Sequence, residues 1–181
     1  MDIYINDDLS LRTITLEDAE AVFACTDASR KHLKEWLPWL DYTKEVADTI
    51  AYIEGCIKGH EANNSLSLVI LFKNEIVGIA GFNTIHPTNK IGTIGYWLSE
   101  GAQGHGIMTK TVKALLQYAF ETLHLHKVEI RVAVGNEKSS AIPERLGFIK
   151  EGTLRAAEWL YDHYVDHVVY GMLLTEWQQQ K

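Results

Sequence analysis

The chain has 181 residues, 46% of them hydrophobic and 23% charged, which fits one soluble globular domain large enough to bury a real core. A net charge of −7 argues against nonspecific nucleic-acid binding, because phosphates would be repelled over much of the surface. Two cysteines, Cys25 and Cys56, make no disulfide framework, Met1 to Leu9 hold no secretory pattern, and no apolar run approaches the ~18 residues of a membrane helix, so a reduced cytoplasmic protein without a membrane partner is expected.

Neither repeats nor a linker divide the chain, and residues 1–181 are expected to form a single domain. Leu9 to Arg12 reads as a short strand. Thr15, with Asp18 three places later, then opens a helix whose apolar side carries Leu16, Ala19 and Phe23. An aromatic segment from His32 to Leu40 is broken by Pro38. A second helix spans about Glu45 to Lys58, where Val46, Ile50, Ile53 and Ile57 recur on one face. Strands follow over Ser65 to Phe72 and Glu75 to Phe82, joined by a tight turn at Lys73 and Asn74. Lys90 to Ser99 is a further strand, and a glycine-bearing loop over Glu100 to Gly106 leads into a long helix. Met108, Val112, Leu115, Leu116, Ala119 and Leu123 mark that helix's core face. Lys127 to Val134 alternates, with Val128, Ile130, Val132 and Val134 on one side. A short helix before Gly147 and two final strands, the second over Tyr164 to Leu174, complete an α+β arrangement, a mostly antiparallel sheet with one crossover helix.

The segment that carries chemistry runs from Tyr96 to Met108. A strand ends, the backbone turns through Gly104 and Gly106, and a helix begins. Such a helix start offers unpaired N–H groups and about half a positive charge, and glycines let a phosphate oxygen come close. The spacing therefore predicts a diphosphate site. A Walker loop would need Lys-Ser/Thr after the last glycine, where Ile107 and Met108 stand, and the dinucleotide fingerprint would need glycine where Thr109 stands. A glycine turn that merely joins strand to helix is the competing reading.

Gln103-x-x-Gly106 after a strand ending Tyr96-Trp97-Leu98, then a helix, an alternating strand, Asn136-x-x-Ser139 and Leu146-Gly147-Phe148, resembles the GCN5-related acetyltransferase family. The family motif ends in glycine or alanine where this chain has Met108, a change that keeps the backbone N–H. Within the family, the chain is most similar to ribosomal-protein N-terminal acetyltransferases of the RimJ/RimL type. Leu11-Arg12, Trp36-Leu37-Pro38-Trp39, Ala157-Glu158-Trp159, Asp166 and Tyr170 extend the likeness over nearly the whole chain.

The resemblance implies an acetyl-CoA-dependent N-acetyltransferase with a central sheet splayed at the acetyl-CoA site, flanked by helices. It implies that strands near residues 98 and 132, read as antiparallel, part to admit pantetheine. Pantetheine amides would pair near Trp97 and Leu98, and Gly104, His105, Gly106, Ile107 and Met108 would hold the pyrophosphate behind Gln103. A backbone N–H near Leu98 would face the thioester carbonyl, a donor worth roughly 3 kcal/mol to an oxyanion. Glu158 would be the base, although a solvated charge at a strand edge is the plain alternative. The tyrosine that many relatives use as acid has no counterpart between Tyr118 and Tyr161, which leaves Ser139 as candidate. Ser140 is the better helix cap, because Pro143 would then fall in the first turn, where a missing N–H costs nothing. Asn136 is expected to tie the strand end to cofactor or backbone.

Trp36 and Trp39 are expected to border the acceptor site or to plug the core. His105 would touch a phosphate or point to solvent. His163 and His167, some 13 Å apart along a strand, are not a metal pair, and no metal is expected. The acceptor remains open between the α-amine of a protein N-terminus, a ribosomal protein by resemblance, and a polyamine or other small amine. A non-catalytic acyl-CoA-binding sensor is a third reading. An α-amine needs only a modest base, since lysine's pKa lies about 2.4 units higher, or about 3 kcal/mol. Relatives of this type imply a homo-oligomer.

Overall fold

The computed structural model describes residues 1–180. The elements are β1 (Asp2–Asn6), β2 (Leu9–Thr13), α1 (Ala19–Ala28), α2 (Arg30–Lys34), α3 (Val46–Glu61), β3 (Leu66–Phe72), β4 (Glu75–His86) and β5 (Ile91–Leu98). They continue as α4 (Ile107–Glu121), β6 (Lys127–Ala133), α5 (Glu137–Arg145), β7 (Ile149–Leu160), β8 (His163–Leu173) and α6 (Leu174–Gln179). The strands form one eight-stranded sheet in the order β1-β2-β3-β4-β5-β6-β8-β7.

Local chemistry accounts for the element ends. Lys73 and Asn74 both take positive φ, 52° and 66°, the two-residue turn whose twist matches a hairpin. The Asp18 carboxylate accepts the Thr15 N–H at 2.8 Å and the Arg12 guanidinium at 2.6 Å, fixing the entry to α1. Burial alone would raise Asp18's carboxyl; these partners outweigh it and hold it below the usual carboxylate range.

Helices cover both faces of the sheet. Val112, Leu115, Leu116 and Ala119 of α4 pack with Val128, Ile130 and Val132 of β6 and with Ile142 of α5. Ala19 and Val22 of α1 and Ile53 of α3 cover Val69 and Ile79 on the opposite face. Some positions on the expected apolar faces lie outside these cores: Leu16, Ile50 and Val134 are exposed, Val134 because β6 ends one residue before it.

Two further differences bear on the site. The strands near residues 98 and 132 are parallel, not antiparallel: β5 and β6 pair from Ile91–Lys127 to Ile94–Ile130 and then separate, because α4 carries the chain back before β6 begins. Also, Asn136 rather than Ser140 caps α5; its Oδ1 accepts the Ser139 N–H at 3.1 Å, and Pro143 falls inside the helix. Asn caps at least as well as Ser, so the helix starts earlier than the proline alone suggests. The β1 strand and the short α2 and α6 helices are additions to the expected order.

Candidate active site

The parting of β5 from β6 is the centre of the site. Ladder pairing between them stops at Ile94 and Ile130, while β5 runs on to Leu98. The Ser99 N–H bonds the Val77 carbonyl at 2.8 Å, on the side of β4. Main-chain groups alternate along a strand, so Leu98 turns its N–H and C=O into the opening and Trp97 turns its own toward β4. Leu98 therefore offers the cleft its backbone, whereas Trp97 borders it without a free amide.

Beyond Leu98 the chain turns over the cleft. Gly104 and Gly106 have φ of +81° and +68°, and nothing lies within 4 Å of where a Cβ would sit at either. Gly106 caps α4 without any side-chain hydrogen bond, and the first helical bond comes from the Lys110 N–H to the Gly106 carbonyl at 3.1 Å. The amides of Ile107, Met108 and Thr109 precede that bond and are the orphan donors of a helix start. Ile107 and Met108 are themselves buried, their side chains in the core beneath. Met108 thus leaves its backbone N–H to the helix start while its side chain anchors the helix in the core. Behind the loop, the Gln103 Oε1 accepts Lys138 Nζ at 3.0 Å and its amide nitrogen meets the His32 ring. Arg145 donates to Thr109 Oγ1 at 2.8 Å.

This loop, β5, α2 and α5 enclose a cavity of about 890 Å³. Its walls include Leu98, Gln103, Gly104, Gly106, Ile107 and Met108. Lys138, Arg145 and His32 also line it; scattered residues carry no motif, and only the fold gathers them. His105 does not line the cavity. Its ring stacks on Phe72 with centroids 6.0 Å apart, so only its main chain remains in the loop.

A second cavity of about 690 Å³ opens on the other side of the splayed strands. Glu129 and Arg131 of β6, His167 of β8, Glu158 of β7 and Asn83 of β4 contribute polar groups to it. Glu158 arrives there through a wide bulge. Leu154 pairs with His167 and Glu158 with Val165, leaving Arg155, Ala156 and Ala157 opposite Asp166 alone. Ala156 takes φ +47°, a left-handed conformation rare for alanine. Asp166 secures it: its carboxylate accepts the Ala156 N–H at 2.7 Å, and its carbonyl accepts the Val134 N–H at 2.9 Å. The Glu158 carboxylate then lies 3.5 Å from the His167 Nε2. Glu129 is occupied otherwise. Burial opposes its charge, but Lys127 at 2.9 Å and Arg131 at 3.3 Å hold its carboxyl below the usual range.

The two cavities meet at Trp36, Leu37, Tyr96, Asn136 and Ser139, which line both. Trp36 thus borders both cavities rather than plugging the core. Trp39 lines neither cavity: its ring packs against Trp97 with centroids 6.2 Å apart, closing the wall rather than meeting a ligand. Asn136, expected to tie a strand end, also caps α5. Tyr96 was not among the expected site residues; its side chain alternates toward α5, where the Tyr96 hydroxyl meets Ser139. Among the described residues, no cluster of His, Cys, Asp and Glu could hold a metal ion, and no helix is long and apolar enough to cross a membrane.

Orphan amides over an open glycine turn, together with the freed Leu98 backbone and an adjoining elongated cavity, fit acetyl-CoA. Comparison with known proteins agrees. Residues 8–149 match the family model described as Acetyltransferase (GNAT) domain. The Bacillus subtilis (strain 168) protein YdaF, named for a proposed ribosomal N-acetyltransferase activity, is 32% identical over 98% of this chain and 97% of its own. The ribosomal-protein-serine acetyltransferase of Escherichia coli (strain K12) is 29% identical over 95% of this chain and 96% of its own. Among solved structures, RimL, the ribosomal L7/L12 alpha-N-protein acetyltransferase, in complex with coenzyme A superposes with a TM-score of 0.92 at 30% identity, covering 97% of this chain and 99% of that one. The microcin C7 self-immunity acetyltransferase MccE with acetyl-CoA and AMP gives 0.90 at 30% identity, over 93% and 94% of the two chains. From the glycine turn to the splayed strands, and over nearly its full length, this chain belongs to the GCN5-related (GNAT) family of acetyl-CoA-dependent N-acetyltransferases.

Proposed function

We propose that the acceptor is the α-amine of a protein N-terminus, a ribosomal protein by similarity to the relatives above, and that Glu158 and Ser139 handle the protons. The observation that carries this reading is the junction itself. Ser139 stands where the cofactor cavity opens into the one that holds Glu158. Acetyl-CoA supplies the acyl group as a thioester. The Leu98 N–H lies where it can donate to a carbonyl oxygen in the parted strands, and Glu158 can take a proton from the attacking amine, directly or through one water. As the N–C bond forms and the C–S bond breaks, Ser139, whose hydroxyl lines the junction, gives the sulfur a proton and recovers one from solvent.

Charge in the acceptor cavity bears on the polyamine alternative. A polycation needs several free carboxylates. Here Glu129 is already paired with Lys127 and Arg131, which leaves Glu158 beside Arg131, His86 and His167. One free carboxylate suits one amine. The same cavity argues against a sensor, which has no use for a base beside a thioester.

The test is thiol release from acetyl-CoA with three acceptor classes: peptides copying ribosomal-protein N-termini, the same peptides N-formylated but carrying an internal lysine, and spermidine. Free N-terminal peptides should be turned over and formylated ones should not. Preferential turnover of spermidine would replace this reading with the small-amine one.

A further inference from the structure

The helix that carries Ser139 has a proline inside it, and the consequence falls on Ser139. Pro143 has no N–H, so the carbonyl four residues earlier, that of Ser139, lacks its helical donor. Ser139 is half-buried, and a carbonyl turned toward the protein interior without a partner is costly. The missing bond is supplied from a different element: Tyr96 of β5 donates its hydroxyl to the Ser139 carbonyl at 3.2 Å. That same phenolic oxygen accepts from Ser139 Oγ, also at 3.2 Å. One hydroxyl thus engages both polar groups of Ser139 that face it, at the junction of the two cavities.

We infer that Tyr96 is a positioning residue for Ser139, taking the place of the N–H that Pro143 lacks and holding the serine hydroxyl at the cavity junction. The inference rests on the role proposed for Ser139 above. Proline is then part of the device: an ordinary residue at 143 would occupy the Ser139 carbonyl from within the helix and leave only the Ser139 Oγ contact to tie β5 to α5 at this point. Tyr96 suits the task chemically. Burial pushes its hydroxyl up to about 12, with Tyr170 adding to the rise and Ser139 partly offsetting it, so it stays protonated and able to donate through the neutral range.

Tm and steady-state kinetics on five variants, three single and two double, decide the matter. Tyr96→Phe should lower Tm by about 4 °C, as expected for one orphaned half-buried carbonyl in a chain of this size. It should also lower kcat about tenfold, with the KM for acetyl-CoA within twofold. Pro143→Ala returns an N–H to the helix, so the Tyr96→Phe penalty in Tm should largely vanish in the Pro143→Ala background. In the Ser139→Ala background, Tyr96→Phe should change kcat less than twofold, because the group it positions is gone. An equal Tm penalty with and without Pro143→Ala, or a full tenfold kcat loss persisting without the serine hydroxyl, would overturn the inference. Should Ser139→Ala alone keep turnover within twofold, the proton role of Ser139 fails separately, and the Tm comparison still decides whether Tyr96 holds this turn.

Discussion

In the cleft proposed for the cofactor, the groups that carry the reading are main-chain amides of one short stretch, Gly104 to Thr109, with the Leu98 backbone beside them. In the cavity proposed for the acceptor they are side chains drawn from β4, β6, β7 and β8, brought together by strand pairing and by a bulge. The first design tolerates side-chain change as long as the backbone can bend as it does; Met108 in a glycine position is an example. The second depends on each side chain and on the distant contacts that aim it. A backbone site fits a ligand common to a whole family, and a side-chain site can differ with each acceptor.

Substitutions should separate the two designs. Removing the charge of the proposed base, Glu158→Gln, should lower kcat by about 10³-fold, within the range for a lost general base, while leaving the Kd for acetyl-CoA unchanged. A pH–rate profile should lose its acidic limb; an unchanged rate and profile would remove Glu158 from the chemistry. Gly106→Asp should weaken acetyl-CoA binding about 100-fold by calorimetry, because it strains a left-handed position and sets a carboxylate at the positive end of α4. Asp166→Ala, which touches neither cavity, should release the Ala156 turn and lower kcat about tenfold, with acetyl-CoA affinity kept. Met108→Ala should change that affinity less than threefold, yet cost about 2–4 kcal/mol of stability in urea unfolding, because its side chain belongs to the core. If Met108→Ala instead destroyed binding in a stable protein, the division between backbone and side-chain sites would be wrong.

The same division explains what could be read from the sequence. The glycine turn into α4 is legible because its signal is local: two glycines, a preceding strand and a following amphipathic helix lie within a short stretch. Strand alternation identified Val128, Ile130 and Val132 as buried for the same reason. Glu158 and Ser139 were found only through family likeness, since nothing near them in sequence shows that a bulge and a helix cap bring them to adjoining cavities. Pairing of β5 with β6 in parallel was misread, because residue patterns on one strand do not state the direction of its neighbour. Pro143 misplaced the α5 cap: its local preference for a first turn was overridden by Asn136 and by the Tyr96 hydroxyl from far along the chain. Tyr96, Lys138 and Arg145 had no sequence signal, since each matters through partners on other elements.

The account depends most on the amides that open α4. Backbone ¹H–¹⁵N shifts recorded during titration with acetyl-CoA test it directly. The N–H signals of Gly106, Ile107 and Met108 should move strongly downfield as the diphosphate accepts their protons, and the shifts should saturate with the Kd found by calorimetry. Saturating acetyl-CoA that left these three amides in place while shifting others would contradict it.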